Sequence, residues 1–194
     1  GYGGMEPETV RGNSHIRFLN MSGHVRMTTD IPLSYIENRK PFALTETKYI
    51  AFSYGVPLEA PLQETADTFF EKTKSYWLEW VKSTTVPLLF QDELIRSALI
   101  LKLHQYEDTG AIIASGTTSL PEFPGSRRTW DYRFYWMRDT YYTLNAFSNI
   151  GHFEELETYF HYIRNIILTE PESIKPFYTI IGEPAPEEQI LSLS

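Results

Sequence analysis

The ten residues Trp130-Asp131-Tyr132-Arg133-Phe134-Tyr135-Trp136-Met137-Arg138-Asp139 hold five aromatic side chains, two arginines and two aspartates. On both sides of this stretch the apolar residues are spaced as in helices. Upstream, Leu94, Ile95, Ala98, Leu99, Ile100, Leu101 and Leu103 mark a helix from Gln91 to Tyr106 or Asp108, with Gly110 as its stop signal. These positions cover more than a stripe, so burial among other helices is expected. Downstream, one helix is expected to start near Asp139 and end before Gly151. The next carries Phe153, Leu156, Phe160, Ile163 and Ile167 at i, i+3, i+7, i+10 and i+14, and Pro171 closes it. Two helices joined by one or two residues around Gly151 make an αα-hairpin.

The quoted stretch therefore ends a long connection between helices. It is preceded by Gly116-Thr117-Thr118-Ser119-Leu120-Pro121-Glu122 and by Arg127-Arg128-Thr129. Loops of this size in a compact domain are functional or disordered, and so many aromatics argue against disorder. Aromatic faces stack on the C–H faces of a pyranose, while arginine forks and carboxylates bind vicinal hydroxyls. The same composition also describes an aromatic cluster with internal Arg–Asp salt bridges, and composition does not choose between the two.

Working back toward the N-terminus, Leu62 to Lys82 has helical periodicity, with Phe69, Thr73, Tyr76, Trp77 and Trp80 on one face; Thr84-Thr85-Val86-Pro87 breaks it. The segment before Tyr54 reads as strands. His15–Leu19 and His24–Thr28 flank the turn signal Ser22-Gly23, and Pro41–Leu44 and Lys48–Phe52 are expected to be two more. Connections too short for crossover helices make the pairing antiparallel. The tail after Glu170, with Pro171, Pro176, Pro184 and Pro186, reads as irregular.

Composition excludes several functions. Of 194 residues, 17 are Lys or Arg and 25 are Asp or Glu, a net charge of -8 that argues against a nucleic-acid partner. With no cysteine there is no disulfide, thiolate metal site or Cys nucleophile. His15, His24, His104, His152 and His161 lack metal-ligand spacing, so no metal and no cofactor is expected, and His104 is read as a hydrogen-bonded core residue. No apolar run approaches the roughly 20 residues needed to cross a bilayer, so no membrane partner is expected. No signal peptide is visible, which favours a cytoplasmic setting. Aromatics are 15% of the chain; Phe69, Trp77 and Phe160 are assigned to the core.

An ordered series of motifs runs along the chain: Ile31-Pro32-Leu33-Ser34-Tyr35, Tyr76-Trp77-Leu78-Glu79-Trp80, Ile95-Arg96-Ser97-Ala98-Leu99, Thr109-Gly110-Ala111-Ile112-Ile113-Ala114, Thr117–Glu122 and Trp130–Asp139. From about Met27 to Gly182 this series resembles the prokaryotic family 15 glycoside hydrolases: glucoamylases, glucodextranases and some trehalases. Tyr178-Thr179-Ile180-Ile181-Gly182 is similar to the next family motif but departs from it at Thr179 and Ile181. The resemblance implies a β + α multidomain protein. Residues 1–60 would be the end of a β-supersandwich, 61–88 a helical linker, and 89–194 the start of a catalytic barrel of six αα-hairpins.

It also implies an exo-acting, inverting α-glucosidase of the glucoamylase type, with a trehalase or a non-catalytic carbohydrate-binding or regulatory relative as alternatives. A disaccharide phosphorylase fits the Trp130–Asp139 run less well. The substrate would be an α-glucan oligosaccharide or trehalose, and the other partner the remaining parts of the same protein. By the family's Trp-x-Arg-Asp motif, Arg138 and Asp139 would bind hydroxyls of the innermost glucosyl unit. Trp136 would be a wall of that subsite, and Tyr132 would lie near the reacting centre. Trp130 and Arg133 are further candidate substrate contacts, and some of Trp130, Asp131 and Arg133 would hold the loop rigid. In an inverting enzyme one carboxylic acid protonates the leaving oxygen and a carboxylate roughly 6.5–9.5 Å away activates water. No motif in the chain matches either group; both are expected beyond Ser194, so the chain alone is expected to be inactive. Glu122 is read as a structural hydrogen-bonding residue.

Overall fold

The computed structural model describes residues 8–20, 23–169 and 173–187. These form two compact units, with the boundary between Trp77 and Leu78. The first unit is built on a sheet of four strands: β1 (Thr9–Arg11), β2 (His15–Phe18), β3 (Val25–Thr29) and β4 (Ile50–Tyr54). They lie in that order and every pair is antiparallel. Register follows the alternation of apolar residues: Ile16 faces Met27, which faces Phe52. Ile16 and Met27 are buried against Leu33, and Phe18 and Ile36 complete this small core. Leu33 opens a short helix, α1 (Leu33–Glu37), between β3 and β4. The buried hydroxyl of Thr29 donates to the Tyr49 carbonyl at 2.8 Å and accepts from the Ile31 N–H at 3.1 Å, which ties the start of β4 to the end of β3.

The expected strand at Pro41–Leu44 is not formed. Pro41 has no N–H to give to a ladder, and Phe42 and Leu44 stay exposed at 46% and 72%. The fourth strand is instead β1, before the first predicted one.

The long helix α2 covers Leu62–Lys82, as its periodicity indicates, and the unit boundary falls inside it. The rest of the second unit is α3 (Gln91–Leu103), β5 (Tyr135–Trp136), α4 (Met137–Asn149), α5 (Phe153–Thr169) and β6 (Phe177–Tyr178). α3 ends three residues before the earlier of its expected limits, at His104, whose Nδ1 is paired with the Ile100 carbonyl at 2.7 Å. The α4–α5 turn passes through Gly151 at φ +84°, where a Cβ would stand 3.0 Å from the Thr85 hydroxyl. At Gly110 the constraint is sharper: a Cβ would meet the Thr158 backbone at 2.5 Å, so only glycine lets this turn lie on α5.

A buried carboxylate joins the elements of the second unit. Glu155, 4% exposed at the start of α5, accepts from Trp80 Nε1 of α2 at 2.7 Å and from Lys102 Nζ of α3 at 3.2 Å. Gln105 donates to its backbone carbonyl at 3.0 Å. His152 stacks on Trp80 (3.9 Å, 9°) and pairs through Nε2 with the Thr84 hydroxyl at 2.7 Å. Burial works against the Glu155 charge, but the bonds from Trp80, its own backbone and Lys102 outweigh it and hold the carboxyl below its usual range. Burial also depresses the His152 imidazole, against a smaller opposing pull from Glu155.

Three expectations of burial are corrected here. Phe69 and Phe160 are not core residues; they are 66% and 63% exposed. On α5 the inward face is Glu155, Tyr162 and Ile166, so Phe153, Phe160 and Ile167 of the apolar stripe lie open. On α3 only Ala98 is buried, and Ile100 and Leu103 are exposed, because α4 packs on just one side of it. Trp77 is half-buried.

Both depressed groups bind protons more readily in the unfolded chain, so acid favours unfolding. The contribution of His152 is complete above about pH 6.5 and falls away as the pH drops through its folded value. That of Glu155 persists to about 4.5 and is lost below. Thermal melts should therefore show a flat Tm from pH 8 to 7 and a two-stage decline below it, with His152→Asn shrinking the upper stage, to which His15, also depressed, contributes the rest. Glu155→Ala should cost about 3 kcal/mol in urea unfolding, because it removes the anion that faces Lys102 and the acceptor of the buried Trp80 N–H.

Candidate functional site

The long connection folds back on itself as an irregular hairpin arm. Residues Ile113 and Tyr135 form one antiparallel bridge and Pro121 and Thr129 another. Between them Ala114 N–H bonds the Phe134 carbonyl at 3.0 Å, Ser115 N–H the Tyr132 carbonyl at 3.0 Å, and Tyr132 N–H the Thr117 carbonyl at 2.9 Å. The aromatic loop thus has its backbone bonded at several points, without being regular sheet.

At its base the arm enters a two-stranded ribbon. β5 pairs antiparallel with β6, Tyr135 opposite Tyr178 and Trp136 opposite Phe177. Side chains alternate across such a ribbon. Tyr135 and Tyr178 point inward and are 0% exposed, in a core with Ala111, Tyr162 and Ile166. The Tyr135 hydroxyl meets that of Tyr159 at 2.7 Å, and Tyr162 donates to the Thr179 carbonyl at 2.7 Å. Burial pushes the Tyr135, Tyr159 and Tyr162 hydroxyls above their usual range, so they stay protonated and serve as hydrogen-bonding groups, not bases.

Trp136 and Phe177 occupy the opposite, partly exposed face of the ribbon. Their rings stack at 4.8 Å with an interplanar angle of 14°. β5 runs directly into α4, so Arg138 and Asp139 fall in the first helical turn. The helix dipole favours a carboxylate there. The α4 start is pinned by Met137 N–H to the Pro176 carbonyl at 3.2 Å and by the fully buried Thr140, whose hydroxyl donates to the Ile112 carbonyl at 3.4 Å. Arg138 Nη2 donates to Asp139 Oδ2 at 3.3 Å; the side chains are 78% and 36% exposed, so both remain open to a ligand.

The candidates fall into two groups. Trp136, Arg138 and Asp139 share the ribbon end and helix start, and Tyr132 lies on the arm leading to them, 36% exposed. Trp130 and Arg133 are engaged within the arm. Trp130 Nε1 donates to Glu122 at 3.4 Å, and the Arg128 guanidinium lies 4.4 Å over its ring. Arg133 forks onto Asp131 at 3.0 and 2.9 Å. The stretch thus holds an internal Arg–Asp pair at 131 and 133 and exposed polar groups at 138 and 139. Phe177 and Pro176 belong to this place but went unread in the sequence, although the motif quoted at Tyr178 adjoins them. Among the described residues no group of three or more His, Asp or Glu is placed to hold a metal ion, and no helix is long and apolar enough to cross a membrane.

Residues 89–194 match the model of the glycosyl hydrolases family 15. The chain is 40% identical over 121 residues to a trehalase of Thermoplasma volcanium, covering 62% of this chain and 19% of that one. It is 34% identical over 165 residues to a trehalase of Mycobacterium tuberculosis, covering 81% and 24%. With trehalase 1 of Sulfolobus acidocaldarius it shares 31% over 204 positions, covering 100% and 34%. It thus spans well under half the length of these relatives. No solved structure matches it. The chain belongs to the family 15 glycosyl hydrolases.

The ribbon core gives a direct check on what holds the site. Tyr135→Phe strands the Tyr159 hydroxyl and should lower stability by about 1 kcal/mol, read as a reduced urea midpoint at unchanged m-value. Tyr159→Phe should cost about the same, and the double variant less than the sum, since both remove one bond.

Proposed function

We propose that this chain is the part of a trehalose-cleaving glycoside hydrolase that binds the innermost glucosyl unit. The observation that carries this reading is the placement of Trp136, Arg138 and Asp139 at the junction of β5 and α4, within a chain whose relatives bear the name trehalase. The expectation of a glucoamylase gives way to the trehalase alternative on those relatives. Arg138 and Asp139 hold sugar hydroxyls, the guanidinium as donor and the carboxylate as acceptor, and Trp136 packs against a ring face. Tyr132 stands near the bond to be cut. Trp130 and Arg133, with Glu122, Arg128 and Asp131, stiffen the arm that carries Tyr132.

In this reading the sheet unit is the end of a β-supersandwich, residues 61–88 a linker, and residues 89–194 the opening of an α/α barrel. Hydrolysis inverts the anomeric centre: one carboxylic acid protonates the leaving oxygen while a carboxylate activates water on the opposite face. No motif in these 194 residues matches either group. The contribution made here is to hold one glucosyl unit so that its anomeric carbon meets those groups.

The test is to express the protein encoded by the gene that carries this chain and to assay it on trehalose and on maltotriose. Glucose release from trehalose, as equal amounts of α- and β-glucose in the earliest NMR spectra, is expected. Release from maltotriose in preference to trehalose would restore the glucoamylase reading. Arg138→Ala and Asp139→Ala should each lower kcat/KM about a hundredfold with Tm unchanged; near-normal kcat/KM in either variant would remove these residues from the subsite.

A further inference from the structure

Phe177 lies on the outward face of the β5–β6 ribbon, next to the candidate site. It touches two rings of the Trp130–Asp139 stretch. Trp136 is stacked on it at 4.8 Å and 14°, and Phe134 meets it edge-on at 6.5 Å and 80°. Phe177 is only half-buried, and Tyr178 beside it supplies the inward side chain of that strand. Packing the core is therefore not its task.

Trp136 itself is loosely held by polar groups. Its Nε1 is buried without a hydrogen-bond partner among the described residues. An indole without a polar anchor has its plane set by ring contacts. The backbone reinforces this: Trp136 and Phe177 are cross-strand partners, and the Pro176 carbonyl accepts from Met137 N–H.

We propose that Phe177 is a positioning residue, which fixes the plane of the Trp136 indole and through it the fit of the glucosyl ring. This rests on the subsite reading given above. An aromatic ring is required at position 177, whereas an aliphatic side chain of similar bulk fills the space without orienting the indole.

The experiment uses the full-length protein that carries this chain, with trehalose as the probe. Phe177→Tyr should keep KM within about twofold of the original. Phe177→Leu should raise KM about three- to tenfold with kcat little changed. A merely structural role would instead lower Tm and the active fraction, and so kcat, with KM unmoved; that outcome overturns the proposal. Equal KM in the Tyr and Leu variants overturns it as well. In a Trp136→Phe background the Leu substitution should lose most of its effect, and a full effect there would show that Phe177 does not act through Trp136. If the Leu variant does not fold, Phe177→Met replaces it under the same criteria. Should Trp136→Phe and Trp136→Ala both leave KM and kcat unaltered, the subsite reading fails; if they impair KM while Phe177→Leu does not, this inference alone fails.

Discussion

A single buried carboxylate organises the second unit. Glu155 sits almost out of water, where a lone charge is strongly disfavoured. It is tolerated because an indole N–H from α2 and an ammonium from α3 converge on one of its oxygens. Those donors come from residues 80 and 102, far apart in the chain, so meeting the needs of one side chain also decides where three helices approach one another. The stacking of Trp80 on His152 and the bond from His152 to Thr84 then fix the turn that leads into α5. Such a cluster contributes more to specifying one arrangement than to net stability, since its desolvation offsets much of the attraction.

The candidate site depends on this frame through the ribbon. Period-two alternation sends Tyr135 and Tyr178 into the core and Trp136 and Phe177 out of it. One pair anchors the ribbon, and the other is left partly exposed. Because β5 passes into α4 without a connecting loop, the anchoring of Tyr135 is transmitted to Arg138 and Asp139 three and four residues later. Polar groups on an exposed surface are thereby held by a rigid element beneath them.

Local patterns made the helices readable and left their surroundings unread. The bounds of α2 followed from periodicity and the breaker after Lys82, and the α4–α5 turn from Gly151. The chemistry of Trp130–Asp139 was equally visible in its residue types. Burial was not. Phe153, Phe160 and Ile167 make an apolar stripe on α5, yet the face that packs carries Glu155, Tyr162 and Ile166. Hydrophobic spacing reports a face suited to burial; which face meets neighbouring elements depends on where those elements lie. That Arg133 forks onto Asp131 while Arg138, bonded to its neighbour Asp139, stays largely exposed was likewise beyond composition, since the two arginines look alike as residue types.

The amino-acid sequence by itself determined the four long helices, three strands of the sheet and the αα-hairpin, because these rest on spacing within a few residues. Tertiary structure alone decided that the aromatic connection folds into an arm, that Glu155 gathers three helices, and that Phe177 lies against Trp136. The arm pairs residues across its own length, and the other two join partners forty or more residues apart; no local pattern encodes such contacts.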